Sequence, residues 1–173
     1  MKVSIYSREA AEALLREGIP PNTAIISFYD PPTTRTPKGY EPVDFSGIDN
    51  PVMQIPLHDI DIEILGEYNL TYETYFPEAQ AVAAFICKAF ESGMNILCQC
   101  EYGQSRSAAC AAAIMENFYG KGISVFADYR YYPNQLVFHK VYDALKMHGL
   151  DKEDNDGGKE REANSKCCNL CSF

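Results

Sequence analysis

No stretch of this chain approaches the ~18 uninterrupted apolar residues that a membrane helix needs, and residues 1 to 10, MKVSIYSREA, lack the apolar run of a signal peptide. The expectation is a cytoplasmic protein with no membrane association. Basic charge is also scarce. The chain holds 15 Lys and Arg against 24 Asp and Glu, a formal net charge of -9. A protein that tracks nucleic-acid phosphates needs a basic face, so that class is excluded. Cysteines do not come in a pairing pattern either. There are seven, an odd number without a secretory signal, which points to reduced thiols and leaves one of them free to be reactive. No metal or cofactor is expected.

What is present suits one globular unit. A chain of 173 residues buries roughly two thirds of its unfolded surface and supports one full core. No oligomer is called for, and a monomer is the default. KVSIYS reads as a short strand, and REAAEALLREG sets Ala10, Ala13, Leu14 and Leu15 at helical spacing with Gly18 as a stop. AIISFYD, residues 24 to 30, reads as a buried strand, and the proline-dense PPTTRTPKGYEP as a loop. PVMQIPLHD is extended, and IDIEILGEYNL is expected to be a surface loop.

From about Thr74 to Ser92 a helical stripe carries Ala79, Val82, Ala83, Ile86, Ala89 and Phe90, with Gly93 closing it. NILCQC is the strongest strand pattern, and SAACAAAIMENFYG is an alanine-rich helix that starts near Arg106. Helices are expected around Ile123 to Tyr131 and Asn134 to Met147, separated by Pro133. Strands that alternate with helices predict an α/β fold, a central and mainly parallel sheet flanked by helices.

That domain spans residues 1 to 150. From Asp151 the chain is charged, glycine-containing and nearly free of apolar residues, so 151 to 173 is expected to be a disordered, cysteine-containing tail. Its end, CCNLCSF, does not fit a prenylation box, which needs cysteine fourth from the end where Cys171 is third. Cys167, Cys168 and Cys171 also lack a second ligand pair at zinc-site spacing.

The chemistry concentrates in CEYGQSRS, residues 100 to 107. A buried strand running into Cys100, then a glycine-containing turn, then a helix, leaves backbone N–H groups pointing into the concavity of the turn. The helix N-terminus adds about half a positive charge, and Arg106, folded back over the turn, offers a planar fork that fits two phosphate oxygens. Glu101, Tyr102, Gly103, Gln104 and Ser105 thus form an oxyanion cradle, with Gly103 supplying the freedom a tight turn requires. The same field acts on Cys100, and an ionised sulfur at the floor of such a cradle is a nucleophile aimed at phosphorus. Ser107 is placed to hydrogen-bond that sulfur.

Cys100, five residues, Arg106 and Ser107 resemble the phosphate-binding loop of cysteine-dependent protein tyrosine phosphatases. The placing of Gly103 and Ser105 is similar to the dual-specificity branch, and most of all to its small bacterial and phage members. AIISFYDP, IPLHDID and YYPNQLVFHKVYDAL extend the resemblance over roughly residues 1 to 148. It implies the tyrosine phosphatase fold and a two-step hydrolysis through a cysteinyl-phosphate, with Arg106 and the loop amides on the equatorial oxygens. The implied acid lies after the preceding strand and matches Asp59, with Asp61 as rival. Asn134 resembles an asparagine that buttresses the loop.

Two departures stand out. Gln99 replaces the histidine usual before the nucleophile, which implies reduced activity, and Glu101 brings negative charge close to an anionic substrate, so its side chain is expected to point outward. Polyphosphorylated inositol lipids call for basic pockets and fit poorly, while Tyr102 can stack on an aromatic phosphoester. Phosphotyrosine on a protein is the first expectation, with phosphoserine and phosphothreonine as further substrates. The alternative is a low-activity module that binds phosphorylated partners. A rhodanese-like sulfurtransferase also presents a cysteine in an anion-binding loop, but its loop usually lacks the Arg-Ser ending. Cys98, Cys87 and Cys110 read as core thiols, and His58 and His139 as histidines without a role.

Overall fold

A computed structural model describes residues 1–160, with side chains described through residue 149. The first strand, β1 (Val3–Tyr6), leads into α1 (Arg8–Glu17), whose start is capped by the Ser7 hydroxyl accepting from the Ala10 N–H at 3.2 Å. The stop at Gly18 is as the sequence predicts, with φ at 99°. β2 (Thr23–Tyr29), β3 (Val52–Pro56) and β4 (Asn95–Gln99) complete one sheet in the order β1-β4-β2-β3, every pair parallel. The α/β layered architecture expected from the alternation of elements is therefore the observed one.

Between β3 and β4 the structure departs from the sequence reading in two places. IDIEILGEYNL holds a 3-10 turn, Ile62–Tyr68, rather than an open loop. Its apolar residues explain this, since Leu65 turns into the core. The helix expected from Thr74 to Ser92 is broken into α2 (Tyr72–Tyr75) and α3 (Ala79–Glu91) by Phe76 and Pro77. Pro77 disfavours helical backbone at the residue before it, and Phe76 is buried edge-on against Phe28, with ring centroids 6.0 Å apart. Ala79, Val82, Ala83, Ile86 and Ala89 are buried as the stripe requires, while Phe90 is exposed and stacks on Phe118.

After β4 come α4 (Arg106–Tyr119), a single turn α5 (Ile123–Phe126) where a helix to Tyr131 was expected, and α6 (Gln135–Glu160). α6 runs past the composition break at Asp151. Cys167, Cys168 and Cys171 lie outside the described residues. No helix among the described residues is long and apolar enough to cross a membrane.

The core explains the alanines of α4. Ala108, Ala109, Ala111, Ala112 and Ala113 are all fully buried, because α4 lies against the sheet on one side and α6 on the other. Small side chains let these backbones approach, and protein interiors leave no slack for added methylenes. Ala109→Leu is therefore expected to destabilise the fold by about 1–3 kcal/mol, measured as a lowered urea midpoint with an unchanged slope.

Candidate active site

In a parallel sheet every strand ends on the same side, and ligands sit outside those carboxyl ends. Here each strand delivers one part of the site as it ends. β1 leads to Ser7 and Arg8, β2 to Asp30, β3 to Leu57 and Asp59, and β4 to Cys100. Since β4 lies between β1 and β2, Cys100 emerges in the interior of the sheet. It is 1% exposed.

The turn from Cys100 to Arg106 is held from outside. Its Gly103 adopts φ 67°, and a Cβ there would stand 2.6 Å from the Ser7 nitrogen and 2.8 Å from the Tyr6 carbonyl carbon. Glycine is required twice over, by the left-handed backbone and by the close approach of the β1–α1 junction. The Arg8 N–H donates to the Glu101 carbonyl at 3.0 Å, and the Tyr132 N–H to the Gln104 carbonyl at 2.9 Å. The carbonyls of the turn are thus satisfied outward. The backbone N–H groups of Glu101, Tyr102, Gly103, Gln104 and Ser105 donate no hydrogen bond among the described residues. A run of amides without internal acceptors at the start of α4 forms the anion-binding concavity that the sequence pattern predicts.

Ser107, fully buried, places its hydroxyl 3.0 Å from the Cys100 sulfur. Glu101 does point away from the cavity. Its carboxylate accepts from Arg8 Nε at 3.0 Å and from the Tyr40 hydroxyl at 3.1 Å. The Arg8 guanidinium also lies over the Tyr40 ring, 4.9 Å from its centroid, and donates to the Glu41 carbonyl. The negative charge that Glu101 adds is therefore compensated locally. Tyr102 stands 76% exposed at the rim.

Arg106 is 2% exposed. Its Nη1 donates to Asp30 Oδ1 at 2.7 Å and to the Leu57 carbonyl at 2.6 Å, while its buried Nε lies 3.6 Å from Asp59 Oδ2 without a hydrogen bond. Burial works against the charge, but Asp30, Asp59 and the Cys100 sulfur outweigh it and hold the guanidinium pKa above its ordinary value. Asp30 is the component that sequence reading missed. The signal was a carboxylate directly after the most apolar strand, in FYDPP, where it had been taken only as the strand's end.

Asp59 is joined to the loop. Its Oδ1 accepts from the Ser105 hydroxyl at 2.6 Å and from Asn134 Nδ2 at 3.0 Å. Asn134 also donates to the Ile60 carbonyl at 3.0 Å, and its Oδ1 caps α6 by accepting from the Val137 N–H at 3.0 Å. One buried amide thus starts a helix and fixes the segment that carries Asp59. Asp61 makes neither contact and stands exposed before the 3-10 turn.

Gln99 is buried and accepts from the Ser27 hydroxyl at 2.6 Å, as register dictates, since the two residues are paired across β2 and β4. Cys98 is fully buried. Its hydrogen bond with Cys110, reinforced by burial, pushes its thiol well above the usual range, in keeping with a core role. Cys98, Cys100 and Cys110 are free thiols. His58 is half-buried against the Tyr68 ring at 4.7 Å, and burial lowers its pKa. Among the described residues no group of His, Cys, Asp or Glu is arranged to hold a metal ion.

No family model and no curated protein matches the chain. Solved structures do. Human DUSP28 superposes with a TM-score of 0.50 and 16% identity, over 86% of this chain and 94% of that one. PTPMT1 in complex with PI(5)P also gives a TM-score of 0.50 and 16% identity, over 87% of this chain and 94% of that one. Neither speaks to the narrower resemblance to bacterial and phage proteins. Their full coverage by a single sheet and its helices identifies the architecture of this chain as the dual-specificity phosphatase fold.

Proposed function

We propose that this protein is a cysteine-dependent phosphomonoester hydrolase whose main substrate is phosphotyrosine on proteins. The observation that supports it most is the run of amides without protein acceptors from Glu101 to Ser105 around the buried Cys100 sulfur. Gly103 in that run is buried, and Glu101 and Ser105 are half-buried; consecutive N–H groups of this kind at a helix start form an anion site, and here they surround a nucleophile type. The geometry suits a bound dianion.

In this reading the Cys100 sulfur attacks phosphorus in line while the alcohol oxygen leaves. The loop amides and the Arg106 guanidinium stabilise the equatorial oxygens, where transition-state charge is spread. Arg106 Nε, buried and without a hydrogen bond, is the atom free to take a phosphoryl oxygen. Asp59 protonates the leaving oxygen, then takes a proton from the water that cleaves the cysteinyl-phosphate. For this the Ser105–Asp59 bond opens and the carboxyl turns to the leaving group. Ser107 stabilises the sulfur as it departs.

Substrate choice follows from charge at the rim. The PTPMT1 structure holds PI(5)P, a ligand whose several phosphates call for basic surroundings. Here the side of the cradle beyond Asp59 carries Asp61 and Glu63. An aromatic monoester beside Tyr102 is the better fit. In this reading the partner is a phosphorylated protein.

Hydrolysis of an aryl phosphate by the full chain, followed by phenol release, tests the reading. Cys100→Ser is expected to abolish both the initial burst and turnover. Asp59→Asn is expected to lower kcat by about 10²- to 10⁴-fold on substrates with poor leaving groups, and by much less on activated aryl esters, while Asp61→Asn has no such pattern. A burst without turnover in the unaltered protein would favour the phosphate-binding module instead. Gly103→Ala, which drives a methyl into the β1–α1 junction, is expected to weaken tungstate or phosphate binding at least about tenfold, or about 1.4 kcal/mol, by calorimetry.

A further inference from the structure

Beside the cradle lies an open cavity of about 820 Å³. It shares Asp59, Ser105 and Asn134 with the candidate active site, so whatever enters it sits next to the phosphoryl group. Its size exceeds that of a single side chain and falls in the range of pockets that hold a ligand of several groups.

The lining has one sign of charge. Asp61 and Glu63 face the cavity, and among the described residues neither forms an ion pair. No lysine or arginine lines it, and His139 is its sole basic group. Three cations touch lining residues from outside: Arg106 Nε lies 3.6 Å from Asp59 Oδ2, Lys140 lies 4.0 Å from the Tyr72 ring centroid, and Arg130, paired with Asp128 at 2.6 Å, lies 5.3 Å from the Tyr131 ring centroid, so Asp61 and Glu63 are the carboxylates left without a cation. Aromatic residues share the lining, Tyr72, Phe126, Tyr131 and Tyr132, of which Tyr132 is 74% exposed and Phe126 37% exposed. Carboxylates and rings in one cavity suit a guanidinium, which takes two carboxylate oxygens through its fork and stacks its plane on a ring.

Resting on the phosphatase reading, we propose that this cavity is a specificity subsite for an arginine side chain that flanks the phosphotyrosine of a peptide substrate. The residue is near in sequence. An extended chain advances about 3.3–3.6 Å per residue, so an arginine within about three residues of the phosphotyrosine reaches a cavity that shares its wall with the cradle. Acidic flanks are rejected by the same carboxylates, which also turn away polyanionic lipid headgroups.

The test uses the full chain and a set of phosphotyrosine peptides in which arginine or glutamate is walked through the three positions on each side. Turnover is read as kcat/KM, and affinity as fluorescence anisotropy with Cys100→Ser. At one position or more, arginine is expected to exceed glutamate by about tenfold, with the gap closing as ionic strength rises from about 0.05 to 0.5 M. Glu63→Lys is expected to remove most of that gap while kcat/KM on p-nitrophenyl phosphate, too small to reach the cavity, stays within about twofold; Glu63→Gln serves if the lysine variant does not fold. Equal kcat/KM for arginine and glutamate at every position would overturn the subsite while leaving the phosphatase reading intact; faster hydrolysis of PI(5)P in vesicles than of any peptide would overturn the subsite and the phosphotyrosine preference, and leave the cysteine-dependent hydrolase. Inactivity on every phosphoester, with no peptide bound by Cys100→Ser, would remove both.

Discussion

A guanidinium buried to 2% exposure is the constraint around which this site is organised. An unpaired charge in such a place costs several kcal/mol, so the surrounding chain must satisfy it before any substrate arrives. Three groups from two segments that are remote in sequence do so: Asp30 after β2, and the Leu57 carbonyl and Asp59 after β3. Asp30 is itself 37% exposed, so solvent screens part of the pairing and the net gain is smaller than for a fully buried pair. Its geometric consequence is larger than its energetic one. With Nη1 fixed by two acceptors, the guanidinium plane has one orientation, and Nε is left for an incoming oxygen.

The same economy explains how an acidic chain can cradle a dianion. Net charge sets the long-range field, but binding depends on the local one. Glu101 sits in the loop, yet Arg8 and Tyr40 turn its carboxylate outward and compensate it. The amides, the helix start and Arg106 then dominate the interior of the turn. At the rim the acidic character returns in Asp61 and Glu63, which in the proposed reading act on what flanks the phosphoryl group and not on the group itself.

Much of this was legible in the sequence because it is local. A strand that ends in cysteine, a glycine turn and an alanine helix follow one another within one stretch, and the contacts of Ser107 with Cys100 and of Gly103 with its tight turn are consequences of that stretch alone. The strands and the Gly18 and Gly93 stops were also local. What was hidden is non-local. Strand order β1-β4-β2-β3 cannot be read from periodicity, and without it Asp30 has no reason to meet Arg106, nor Ser27 to meet Gln99. The break at Phe76 and Pro77 has a local sign in the proline, since the apolar stripe begins only after it, at Ala79.

Gln99 shows why a departure from a family pattern is better judged by its partners than by its identity. The position is buried and paired across the ladder with Ser27, so any residue there must meet the Ser27 hydroxyl. A glutamine carbonyl does so as an acceptor at 2.6 Å, and the hydroxyl, spending its proton on the amide, leaves no buried donor unpaired at the base of the loop. The amide cannot contribute a positive charge beneath Cys100 as a protonated histidine would. In the proposed mechanism, stabilisation of the attacking sulfur then falls to Ser107, the loop amides and Arg106, and the last two are also the groups proposed to meet the phosphoryl oxygens.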